Sequence, residues 1–178
     1  HDAFVMAAAE IRRQRPDVHF ALVGRNLFNE HARWAGQLEK MVDQAGLADV
    51  FHWITSSDDA AQILPAFDVL LHPALGEPFG RVLCEAMAAS VPVIAAESGG
   101  PCTIIEQGVS GILVRGGEPL RMAEETLGLL ADPARAAALA VAGRTRVLSQ
   151  FTVAKVCEQL AKEYRALIAA TSTGLDDE

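Results

Sequence analysis

The chain has 178 residues, 51% of them hydrophobic, and a formal net charge of −8. That length fits one domain with a substantial core. The acidic balance argues against nonspecific nucleic-acid binding, which needs basic patches. No signal-peptide pattern and no apolar run of about 18 residues appears, so the sequence reads as neither exported nor membrane-spanning as given. Three cysteines, Cys84, Cys102 and Cys157, stand far apart without metal-ligand spacing. They read as small buried hydrophobes of a reducing compartment. The five histidines are scattered, so no metal site is expected.

The chain opens in mid-helix: Phe4, Ala8 and Ile11 already recur at helical spacing, as in a fragment of a longer protein. After Arg15–Pro16–Asp17, the run from His19 to Gly24 is a short apolar stretch ending in glycine, which predicts a buried parallel strand. Ala32 to Ala45 predicts a helix capped by Gly46. Val50 to Trp53 predicts a second strand, and Ser57 to Ala66 a helix with a Ser/Asp start. Asp68 to His72 predicts a third strand, Arg81 to Ala89 a helix, and Val91 to Ala96 a fourth strand. The turn Ser98–Gly99–Gly100–Pro101 leads to a short helix, and Gly111 to Val114 predicts a fifth strand.

Beyond Gly117 the chain turns all helical. Pro119 starts one helix with Leu120, Ala123, Leu127 and Leu130 as its core stripe. Asp132 and Pro133 open another as N-cap and first helical residue. Thr152 caps the last, with Val153, Val156, Leu160, Tyr164 and Leu167 on one face. Residues 171–178 read as a disordered acidic tail. Alternating strands and helices imply an α/β class: a Rossmann-like open, mostly parallel sheet with helices on both faces, plus a helical C-terminal extension. One domain is expected over residues 1–170.

In such sheets ligands bind beyond the carboxyl ends of the strands. Gly24–Arg25–Asn26, Trp53–Ile54–Thr55, Gly76 to Gly80 and Ser98 to Pro101 all fall there. The third is the most informative. Glu77 and Glu85, eight residues apart, bracket a loop that turns at Pro78 to Gly80 and enters a helix. The first N–H groups of a helix lack intrahelical partners and favour anions, phosphate above all. Carboxylates suit sugar hydroxyls, because two oxygens can grip a vicinal diol. An anion-ready helix start flanked by two such acids suggests a nucleotide-sugar site, while two solvated surface charges would give the same spacing. Gly99–Gly100 before Pro101 reads as a second helix start facing the same rim.

The run from His19 to Tyr164 resembles the C-terminal domain of the group 1 (family 4) retaining glycosyltransferases. The matching landmarks are Leu22 to Gly24, Phe67 to Ala88, Val91 to Gly100, and Gly108 to Val114, with the family's E-x7-E motif on Glu77 and Glu85. The resemblance implies one half of a GT-B fold and a nucleotide diphosphate sugar as substrate, with neither cofactor nor metal. It implies that Glu77 contacts the donor sugar near its anomeric centre and is the catalytic residue. Glu85 would hold the ribose, and the backbone of Phe79, Gly80, Arg81 and Val82 the sugar and diphosphate oxygens. Trp53 and Ile54 would lie beside the base, with Gly24 and Arg25 on the same donor rim. The partner it implies is an acceptor-binding N-terminal domain absent from this chain, so the fragment alone is expected to be inactive. It further implies a cytoplasmic enzyme with no membrane contact from this fragment. The parent could meet the inner face of a membrane through its other half, since lipid-linked acceptors are common in the family.

The chain departs from the family pattern in three places. The opening strand, with its basic clamp, lies upstream of His1. Ile54 and Thr55 stand where a glycine is usual, and Thr103 stands where a Glu usually follows the double glycine. Two other readings remain: a nucleotide-sugar epimerase of similar fold, and a non-enzymatic doubly wound binding domain.

Overall fold

A computed structural model describes residues 1–24, 32–54 and 62–172. In chain order its elements are α1 (Asp2–Gln14), β1 (Phe20–Val23), α2 (Ala32–Gln44), β2 (Phe51–Ile54), β3 (Leu70–His72), α3 (Arg81–Ala88), β4 (Val93–Glu97), α4 (Pro101–Ile104), β5 (Ile112–Arg115), α5 (Pro119–Ala131), α6 (Pro133–Gln150) and α7 (Val153–Ser172). Every strand pairing is parallel. β1 pairs with β2, placing Val23 beside Ile54. β4 lies between β3 and β5, with His72 beside Ala95 and Ala96 beside Val114. The strands thus group as a pair and a triplet. Between the two groups lies a cavity of about 620 Å³, walled by Phe20 and Ala21 on one side and Val69 and Leu71 on the other.

The alternation of strand side chains divides the core into two layers. Ile94 and Ala96 of β4 belong to one cluster with buried residues of α1, α2 and α5, while Val93 and Ala95 belong to the other with residues of α3, α4 and Val147 of α6. Helices therefore cover both faces, and the predicted α/β class is borne out.

Some local expectations are corrected. The described part of the segment predicted as a helix before β3 is a 3-10 turn, Leu64–Ala66, with Pro65 inside it. Residues 57–61 of that segment lie outside the described residues. On α5 the buried face is Met122, Ala123, Thr126 and Leu129, and Leu120 is 60% exposed. The stripe is rotated because Thr126 donates its hydroxyl to the Met122 carbonyl and so can be buried as if apolar. Cys84 is half-buried, but Cys102 and Cys157 are exposed. The helical extension forms as expected, Asp132 accepting from the Arg135 N–H and Thr152 from the Lys155 N–H. The stripe of α7 is exposed along its length, Val153 at 82% and Leu167 at 63%. The helix runs to Ser172, and residues 173–178 lie outside the described residues.

Helix α6 braces the ends of two short helices. The Arg146 guanidinium donates to the carbonyls of Ile104 and Thr103 at 2.7 and 3.1 Å, and Arg144 donates to the carbonyl of Ala88. These carbonyls end α4 and α3, where a cation is favoured by orphan acceptors and by the helix dipole. Arg146→Ala is expected to lose about 2 kcal/mol of stability, the scale of a charged hydrogen-bond pair. Chemical denaturation checks it, and Arg146→Lys should recover only part, since an ammonium cannot span both carbonyls.

Candidate functional site

The strand end at His72 passes into Pro73–Ala74–Leu75 and then into the loop Gly76–Gly80, which feeds α3. Two features set the loop's path. Gly80, with φ of 94°, occupies the left-handed region immediately before α3. The Gly99–Gly100 turn after β4 lies directly against the loop. Gly100 N–H donates to the Glu77 carbonyl at 2.9 Å, and Gly76 N–H donates to Ser98 Oγ at 2.9 Å. A methyl group on Gly100 would stand 2.2 Å from the Phe79 carbonyl oxygen, and one on Gly99 2.4 Å from that of Glu77. Only glycine permits this backbone-to-backbone approach.

This arrangement corrects the reading of Gly99–Gly100 as a second anion-facing helix start. The Gly100 N–H is taken by Glu77, and α4 is only four residues long. The turn supports the first site from behind.

The start of α3 is the open end. The Leu83 N–H bonds back to the Gly80 carbonyl at 2.9 Å. Among the described residues, the N–H groups of Gly80, Arg81 and Val82 have no acceptor. No acidic residue lies in the first turn to occupy them. Glu77 is half-buried on one side of this mouth, its Oε1 accepting from the Phe79 N–H at 3.4 Å. Glu85, one turn further along α3, is half-buried with neither an ion pair nor a hydrogen bond to its carboxylate among the described residues. A carboxylate in that setting has acceptor capacity to spare. It also acts on its neighbour: burial first, and then the charge of Glu85, push the Cys84 thiol above the ordinary cysteine range. Phe79 is 42% exposed and meets Phe151 edge-on at 6.2 Å.

The structure brings Glu77, Phe79, Gly80, Arg81, Val82 and Glu85 together around one helix start. A second cavity, of about 360 Å³, links Val82 to the carboxyl end of β1 at Leu22 and Val23. Gly24 follows β1, donating its N–H to the Ile54 carbonyl at 3.1 Å, so these two residues share a strand end. Trp53 packs on Phe51 with ring centroids 4.9 Å apart and lines neither cavity. Arg25 lies outside the described residues. Sequence reasoning passed over His72, which lines the second cavity with Nε2 3.7 Å from Glu77 Oε2. The available signal was a titratable ring closing an otherwise apolar strand.

The family model for glycosyl transferases group 1 matches residues 1–146. The D-inositol 3-phosphate glycosyltransferase of Thermobispora bispora is 34% identical over 169 residues, covering 92% of this chain and 39% of that protein. The crystal structure of Anabaena HepE in complex with UDP-glucose superposes with a TM-score of 0.83 at 30% identity, covering 92% of this chain and 44% of that one. The C-terminal domain of the group 1 glycosyl transferase LpcC from Francisella tularensis gives 0.76 at 26% identity, covering 85% and 79%. The chain therefore spans about two fifths of the full-length relatives it matches.

Gly100→Ala should cost about 3 kcal/mol, because the methyl meets main chain that cannot rotate away. Gly24→Ala, whose methyl would meet nothing within 4 Å, should stay within about 0.5 kcal/mol of wild type. Thermal and urea denaturation of the two variants gives the comparison.

Proposed function

The chain belongs to the glycosyl transferases group 1 family, and on that premise we propose that it is the donor-binding half of a retaining GT-B glycosyltransferase. The parent enzyme moves a sugar from a nucleotide diphosphate sugar to an acceptor. The observation that carries this reading is the set of free N–H groups at the mouth of α3, held between two half-buried carboxylates. The relative solved with UDP-glucose supports the ligand class.

The roles follow from chemistry. The N–H groups of Gly80, Arg81 and Val82 receive the diphosphate and sugar oxygens, and Phe79, whose N–H is engaged by Glu77 Oε1, borders them. The departing diphosphate gains negative charge as the glycosidic bond breaks, and dipoles already aimed at it need no reorganisation. On this reading the dipoles, with basic side chains, do the work that would otherwise call for a metal. Glu85 accepts hydrogen bonds from the ribose diol. Glu77, on the sugar side, contacts the donor near its anomeric centre and carries the catalytic role of the E-x7-E pair. The strand ends at Gly24 and Ile54 border the nucleotide, with Trp53 and Arg25 assigned to the same rim.

The cavity between β1 and β3 supports the view that the domain is completed by a strand from outside this chain. In the doubly wound order the first strand lies between the second and the fourth, which here correspond to β1 and β3. The acceptor half would close the cleft over the same rim. The 178-residue chain alone therefore transfers no sugar, and product formation by the purified chain would contradict this. The parent enzyme works in the cytoplasm, with access to the inner face of a membrane through its acceptor half.

A thermal-shift panel of UDP, GDP and ADP sugars should produce stabilisation by one base class. No shift with any of them would favour a non-enzymatic domain. Glu85→Ala should weaken the preferred nucleotide by about 10- to 150-fold, the loss of charge-assisted bonds worth roughly 1.5–3 kcal/mol. Unchanged calorimetric affinity would remove Glu85 from the ribose role.

A further inference from the structure

His72 is the last residue of β3 and lines the cavity that runs from Val82 to the end of β1. Its side chain is only 16% exposed, and Nε2 is fully enclosed without a hydrogen-bond partner among the described residues. A buried polar nitrogen of this kind is uncommon and calls for a partner. The Glu77 Oε2 carboxylate oxygen lies 3.7 Å away. A movement of under about 1 Å brings the two into hydrogen-bond range. The other oxygen of the same carboxylate, Oε1, is already held by the Phe79 N–H.

We propose that His72 is a positioning residue for Glu77: its Nε2–H donates to Glu77 Oε2 and fixes the carboxylate toward the donor sugar. The carboxylate is then held from two sides, by the loop backbone at Oε1 and by the strand end at Oε2. Its remaining lone pairs are turned outward for sugar hydroxyls. This role rests on the reading of Glu77 as the sugar-side acid.

The protonation chemistry is consistent with donation from a neutral ring. Burial lowers the His72 pKa from the ordinary histidine value, and the Glu77 charge offsets part of that. A neutral imidazole carries one N–H and one lone pair. A lone pair facing the carboxylate would be repelled, so the Nε2–H tautomer is favoured. Among the described residues, Glu77 from the loop and His1 from the start of α1 are the titratable groups that adjoin the ring or share its cavity wall, which is otherwise apolar. With its folded pKa depressed, His72 favours folding at neutral pH. That contribution is lost as pH falls from about 6.5, the unfolded value, through the folded one.

Two measurements on the 178-residue chain test the role. The first is long-range nitrogen–proton NMR of the His72 ring between about pH 5 and pH 8, in wild type and Glu77→Gln. The expected result is the Nε2–H tautomer at neutral pH and a lower pKa in Glu77→Gln, which removes the supporting charge. An Nδ1–H tautomer, or a titration unmoved by Glu77→Gln, overturns the pairing. The second is calorimetry with UDP-glucose and with UDP. His72→Leu should cut the affinity gained from the glucose by about tenfold while leaving UDP unchanged. His72→Gln, which keeps an amide donor near the Nε2 position, should restore it. Full preference for UDP-glucose in His72→Leu, or no rescue by His72→Gln, overturns the positioning role. Failure of the wild-type chain to bind any UDP, GDP or ADP sugar would count against the donor reading itself, and the ring tautomer would still decide the pairing.

Discussion

The site depends on one contact between two stretches of main chain. The Glu77 carbonyl accepts the Gly100 N–H, and the two glycines after β4 lie so close to Glu77 and Phe79 that no side chain fits between. This contact fixes where the loop leaves β3, and thus the angle at which α3 begins. The open N–H groups of Gly80, Arg81 and Val82, the Glu77 carboxylate and the Phe79 ring take their positions from it. A looser turn after β4 would leave the same residues in the sequence without a common geometry.

The support continues outward. α3 and α4 are short helices, eight and four residues long, and short helices have little stability of their own. Their carbonyl ends are held by Arg144 and Arg146 of α6. Gly143, on the same helix, lies so near the Ser110 carbonyl that an added methyl would stand 2.9 Å from it. Helix α6 is therefore not an appendage to the sheet. It keeps the helix that presents the site from shifting along its axis.

Much of this was legible in the sequence, and the exceptions have physical causes. The strands were readable because buried parallel strands are continuous apolar runs between glycines and prolines. The Glu77–Glu85 pair was readable because a loop acid and a helix acid around a glycine mark a helix mouth. The buried face of α5 was misread because hydrophobicity alone passes over Thr126, whose hydroxyl is satisfied within its own helix. The role of Gly99–Gly100 was misread because a glycine needed for anion approach and one needed for main-chain approach look alike in a sequence. His72 was missed because its meaning lies in its 3.7 Å separation from Glu77, and no local pattern encodes that distance.

The raised thiol pKa of Cys84 has a consequence of its own. Sulfur reacts with oxidants and electrophiles as thiolate, and this one is held protonated by burial and by the neighbouring Glu85 charge. The acid that makes the helix useful thus also keeps its cysteine chemically quiet. The more accessible sulfurs are those of the exposed Cys102 and Cys157.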